Sequence, residues 1–128
     1  MAPDPPLPLG VEEMELLEEG RVLFDSAQFW HAHESWESLW NKVKARQAEP
    51  REVLLVQGLI QTAALLLHHQ RRNAIGVEKQ WAKLQPKLEG WGVAWGIDVE
   101  AHLRSVQAYA EDRDTWSLRA EDHHLPQA

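Results

Sequence analysis

The chain contains no cysteine. Disulfides, thiolate metal sites and cysteine nucleophiles are therefore excluded, and a cytoplasmic location fits the composition. Basic residues are scarce: 13 Lys and Arg stand against 20 Asp and Glu, for a net charge of −7. A general nucleic-acid binder needs a basic surface to neutralise phosphates, so that class is set aside too. No long hydrophobic run is present. The longest, Val53 to Leu67, is interrupted by Gln57 and Gln61 and falls short of the ~20 residues that span a bilayer. The N-terminal stretch MAPDPPLPLG lacks a basic region followed by an apolar one, so it does not read as a secretory signal. Strand-like alternation and internal repeats are missing as well.

What is there reads as helix. A length of 128 residues suits one domain, and 44% hydrophobic with 26% charged residues is ordinary for a folded protein. The expectation is an all-α, compact, mainly antiparallel bundle of about five helices over residues 11–111. A flexible proline-rich arm (1–10) precedes it, and a short turn and frayed tail (112–128) follow. In the first helix Leu16, Leu17, Gly20, Leu23 and Phe24 form one stripe. Asp25 and Ser26 are good caps for a second helix running to about Arg46. A third, from about Arg51 to Arg71, is apolar nearly all round, the mark of a central helix. Asn73 caps a fourth, which Pro86 should kink or end. The glycine-punctuated segment Gly90 to Gly96 reads as a loop, and Asp98 caps a fifth helix. Seven tryptophans are unusual for this length; each brings a large apolar surface and an N–H that needs a partner when buried.

One polar cluster interrupts this pattern. His33 and Glu37 are four apart on the second helix and share a face with Trp40. On the third helix Gln57, Gln61 and His68 fall within about 40° of one another. If these two helices are antiparallel, the two polar stripes meet in one pocket. Three readings follow. In the first, His33, Glu37 and His68 ligate a divalent metal (zinc, iron or manganese), with Glu34 as a fourth ligand or base. In the second, Glu34 or Glu37 works with His33 in acid–base catalysis without metal. Gln57, Gln61 and Trp40 are then binding residues, and the protein is a hydrolase-type enzyme acting on a small molecule. In the third, the cluster is a satisfied polar network that sets helix register. Neither active reading has a complete ligand or catalytic set in sequence. The other histidines, His69, His102, His123 and His124, show no convergent partners.

A non-catalytic alternative is an interaction or scaffold module that meets a protein partner through Trp91, Trp95 or Trp116. A homodimer through the first or fifth helix is a further expectation.

The run Leu23-Phe24-Asp25, then Phe29-Trp30-His31-Ala32-His33-Glu34-Ser35-Trp36-Glu37, then Trp40 resembles a known family, domain of unknown function 309. So does Gln57-Gly58-Leu59-Ile60-Gln61-Thr62-Ala63-Ala64, followed by His68, Asn73 and Gly76. The resemblance spans roughly residues 20 to 105. It implies a compact helical bundle of the kind the periodicity indicates, and it supplies no reaction.

Overall fold

The computed structural model describes residues 4–128; residues 1–3 of the arm lie outside it. Five helices carry the fold: α1 (Val11–Asp25), α2 (Phe29–Ala45), α3 (Pro50–Gln70), α4 (Ala74–Leu88) and α5 (Val99–Glu111). Between α4 and α5 lies a small antiparallel hairpin, β1 (Val93–Ala94) and β2 (Ile97–Asp98). A 3₁₀ turn at Ala120–Asp122 follows α5. Among the described residues the chain is all-α but for this hairpin.

Three- and four-residue connections (26–28, 46–49 and 71–73) make α1 to α4 successive antiparallel neighbours. Helix α3 is the central one, against α2 on one side and α4 on the other, with α5 across it. By length and mean hydropathy alone it is long and apolar enough to cross a membrane, but 56% of its most apolar window is buried in this fold. The core holds Phe24, Phe29, Trp36, Leu39, Leu55, Leu59, Leu66, Leu84 and Leu103, all fully buried. Burial of each such side chain stabilises by roughly 1.5–3 kcal/mol.

The three helix joints are built alike. Each helix ends in a 6→1 backbone bond: Gln28 N to Leu23 O, Ala48 N to Val43 O, and Asn73 N to His68 O. Each joint also places one residue in the left-handed region: Ala27 (φ 62°), Gln47 (φ 58°) and Arg72 (φ 55°). This is the Schellman geometry, usually made with glycine, here made without it.

The first joint corrects the expected cap of α2. Asp25 belongs to α1, and α2 starts at Phe29 behind Gln28, which makes no side-chain cap. Asp25 is engaged otherwise: its carboxylate accepts from Arg21 Nη1 at 3.0 Å and from the Leu125 amide at 2.8 Å. Asn73 and Asp98 do cap their helices, accepting from Gly76 N and Ala101 N, each at 3.0 Å.

Among the described residues, both terminal segments make hydrogen bonds to the helical body. Arg51 donates to the carbonyls of Asp4 (2.8 Å) and Pro5 (3.0 Å), and Trp95 Nε1 donates to Leu7 O at 2.9 Å. At the other end His123 and Leu125 are buried. Gln127 forms a bridge to Ile97, and Asp98 N donates to Pro126 O at 2.9 Å. The tail thereby occupies the edge of the hairpin, whose turn residues Trp95 and Gly96 both have positive φ (50° and 79°). That pair of angles suits the tight turns that twisted hairpins prefer.

Candidate functional site

Helices α2, α3 and α4 enclose a cleft of about 230 Å³. His33, Glu37 and Trp40 reach it from α2, at i, i+4 and i+7. Gln57 and Gln61 reach it from α3, together with the apolar Ile60 and Ala64. Gln80 and Lys83 close it from α4. The antiparallel turn at residues 46–49 makes the two expected polar stripes face each other. No α4 residue was among the expected members; Gln80 and Lys83 come to the cleft only through the packing of α4 against α3.

At the mouth, the His33 ring stacks on the exposed Trp30 indole, with centroids 5.5 Å apart and planes 2° from parallel. Its Nδ1 stands 3.7 Å from Glu37 Oε2, an ion-pairing separation rather than a formed hydrogen bond. The His33 side chain is 25% exposed and that of Glu37 is 53% exposed, so the histidine is the more buried partner. Beside the cleft, Lys87 Nζ donates to Gln61 Oε1 at 2.8 Å. Burial, and then the nearby Lys83 charge, push the Lys87 ammonium pKa down.

Two polar atoms on this cleft's walls have no partner. Trp40 Nε1 and Gln80 Oε1 are both sealed from solvent without a hydrogen bond within the protein. A buried donor or acceptor left unpaired costs ~1–3 kcal/mol, so two on one cleft call for an explanation. Lys44 Nζ sits 3.3 Å over the Trp40 ring and fixes that indole through its face. A third such atom, Glu52 Oε1, lies elsewhere, on a carboxylate whose other oxygen meets the Leu7 amide at 3.4 Å.

Two expected members do not join the cleft. Glu34 is exposed and pairs with His31 Nδ1 at 3.1 Å. It lines a separate groove beside Leu16, Glu19 and Leu23 of α1. One residue past His33, a helix has turned by about 100°, which takes Glu34 off the face. His68 lies more than a turn beyond Ala64 and belongs to the α3–α4 joint. Its Nδ1 accepts from Asn73 Nδ2 at 3.3 Å. Its ring fills the space over Gly76, where a Cβ would stand 2.5 Å from Nδ1. Burial, then the Arg71 charge, lower its pKa. The set His33, Glu37 and His68 is therefore not assembled. Among the described residues no three His, Asp or Glu side chains converge to hold a metal. Within the cleft, a divalent ion would find His33 and Glu37.

Two buried polar groups escaped the sequence reading. His123 Nε2 lies 3.2 Å from His102 Nδ1, and His102 Nε2 lies 3.0 Å from Thr62 Oγ1, which donates to Leu59 O at 2.7 Å. Because the threonine proton is spent on the carbonyl, Thr62 accepts from His102. His102 then has only a lone pair for His123, so the His102 ring is neutral and His123 donates its Nε2–H. The second group is His69 with Asp112, at 2.8 Å. That carboxylate also accepts from Ser117 Oγ (2.6 Å), Ser117 N (3.0 Å) and Leu118 N (2.9 Å). These bonds outweigh desolvation and hold Asp112 well below the usual carboxylate range. No serine oxygen faces His69, so the trio organises a loop rather than a nucleophile. A signal existed: Thr62 and His69 are seven apart on α3, and His102 lies in the Val99, Leu103, Val106 stripe.

The matched motif residues thus divide into a cleft group and a joint group, and a family comparison covers both. The model for Domain of unknown function (DUF309) matches residues 17–80. The chain belongs to this family. The match is shorter than the resemblance suggested: it runs from α1 into α4 and stops at Gln80. It therefore takes in the α2 and α3 walls of the cleft, but not Lys83, Lys87, the hairpin, α5 or the tail. Neither the curated proteins nor the solved structures offer a match to this chain.

Proposed function

We propose that this DUF309 protein binds a small polar molecule in the α2–α3–α4 cleft and acts on it by acid–base chemistry of the hydrolase type. The carrying observation is the pair of sealed, unpartnered atoms, Trp40 Nε1 and Gln80 Oε1, on the walls of one cleft. Proteins satisfy nearly all buried polar groups, and a ligand offering one acceptor and one donor satisfies both once the Trp40 and Gln80 side chains turn from the wall toward it. Gln57 and Gln61 supply further amide contacts. Glu37 accepts a proton from water as the water oxygen bonds to the substrate, and passes it to His33 Nδ1, 3.7 Å away. His33, held flat against Trp30, gives its Nε2 proton to the leaving group, so both side chains end with the charges they began with. The acid–base form is favoured over the metal-dependent form because His68 lies at the α3–α4 joint.

The interaction-module reading draws less support. Trp91 is buried, and Trp95 and Trp116 are half-buried against the core. Little indole surface is left on them for a partner.

p-Nitrophenyl acetate tests the activity. Hydrolysis by the parent should fall about 100-fold in Glu37→Gln, the scale of one general base, with the thermal midpoint unchanged. Equal rates in parent and variant sink the acid–base assignment.

A further inference from the structure

The charges around the cleft narrow the ligand class. Lys83 lines the cleft from α4, and Lys87 reaches its rim through Gln61. Neither ammonium has a carboxylate within 4.0 Å among the described residues. Lys44, Lys79, Arg71, Arg72 and Arg113 are likewise without an acidic partner among the described residues, but of these seven cations Lys83 is the one that lines the cleft. Six other cations, Arg21, Lys42, Arg46, Arg51, Arg104 and Arg119, each have an acidic partner. Glu37, the one carboxylate on the cleft, is bonded to neither lysine and leans toward His33 instead. The lining thus brings the Lys83 ammonium and the Trp40 indole together, with Glu37 as its single carboxylate and Lys87 beside the cleft. Gln80 Oε1 meanwhile asks for a donor.

We infer that the cleft takes a small organic anion that also carries a hydroxyl or amino group. Its anionic oxygens accept from Lys83 Nζ and Trp40 Nε1, and its O–H or N–H donates to Gln80 Oε1. This rests on the proposed reading of the cleft as a ligand site. The space is that of about eight liquid-water molecules at ~30 Å³ each, so the ligand is compact. Charge-assisted hydrogen bonds are roughly twice as strong as neutral ones. The anionic end therefore sets affinity, and Gln80 sets the choice among anions.

Lactate, lactamide and propionate separate these contributions, with inorganic phosphate as a fourth probe. Binding is read from the Trp40 indole N–H resonance of the whole chain, assigned by its loss in Trp40→Phe. Lactate should bind about tenfold more tightly than neutral lactamide, the worth of one charge-assisted contact. It should also exceed propionate, which lacks the hydroxyl. Lys83 is exposed, so Lys83→Gln should fold normally and abolish the preference for lactate over lactamide. Phosphate binding ahead of lactate keeps the anion and overturns the carboxylate-sized ligand with its Gln80 contact. Equal binding of lactate and lactamide, unchanged by Lys83→Gln, overturns the anion inference and leaves the small-molecule reading standing. A Trp40 resonance unmoved by all four probes overturns both.

Discussion

Gly20 shows how much one missing side chain determines. In an exposed helix, Gly→Ala gains about 1 kcal/mol. Here a Cβ would stand 2.1 Å from Trp36 Nε1. The indole cannot retreat, because it is fully buried and donates to Leu17 O at 3.1 Å. Gly20→Ala should therefore cost about 3 kcal/mol, the upper range for overpacking, read as a lower urea midpoint. Gly58→Ala should cost less, since its nearest neighbour is Leu88 Cδ2 at 2.7 Å, the tip of a side chain that can change rotamer. The opposite ranking would mean that α1 and α2 are freer to separate than the Trp36 bond implies. Gly20 stood out in sequence as a glycine within an apolar stripe. Its partner did not, because nothing local names the tryptophan that fills the gap.

At the scale of the element, the starts of α4 and α5 were legible, and so were the approximate ends of α2 and α3, but the left-handed geometry of those ends was not. Asn73 and Asp98 announce themselves as caps by side-chain chemistry. The ends at Ala27, Gln47 and Arg72 carry no glycine, although all three residues adopt left-handed φ. A non-glycine residue there costs roughly 1–2 kcal/mol, offset in part because glycine loosens the unfolded chain. Gln47 is exposed, so Gln47→Gly should stabilise by about 0.5–1 kcal/mol, visible as a rise in Tm. A fall in Tm would show that the Gln47 side chain contributes contacts beyond its backbone. The polar stripe of α3 was legible for a related reason: Gln57 and Gln61 interrupt an otherwise apolar helix. The lysines of α4 were not, since an amphipathic helix looks the same whether its polar face meets water or a cleft.

The whole molecule is closed by its tail, and that closure is sensitive to acid. His123 docks against His102 within a shell of Phe24, Tyr109 and Thr62. Asp25 and His124 are the charged neighbours. Burial lowers the His102 pKa far below its ordinary value and takes His123 from 6.5 to about 4. Both rings are held neutral, so the unfolded chain binds more protons than the folded one between those two values. Stability is fully present above pH 6.5 and is lost as pH falls toward 4. For His123 the loss is on the order of 3 kcal/mol at 1.36 kcal/mol per unit. Urea unfolding at pH 7.5 and pH 5 should show the drop, and His123→Gln should flatten it. A slope unchanged by that substitution would place the acid sensitivity elsewhere. Asp112 acts in a separate window, since a lowered carboxylate loses its contribution only below its ordinary value of 3.8.

The sequence by itself determined the helical class, the central place of α3 and the pairing of His33 with Glu37. Each follows from a spacing of three, four or seven residues along one helix, which is local geometry. Tertiary structure decided what each face meets. It set His68 against Gly76 and Asn73, turned Glu34 to another groove, and brought Gln80 and Lys83 across from Gln57 and Gln61. It also joined His102 to His123 over an interval of 21 residues. Such contacts depend on the order and angle of whole helices, and that information is spread over the entire chain rather than written beside any one residue.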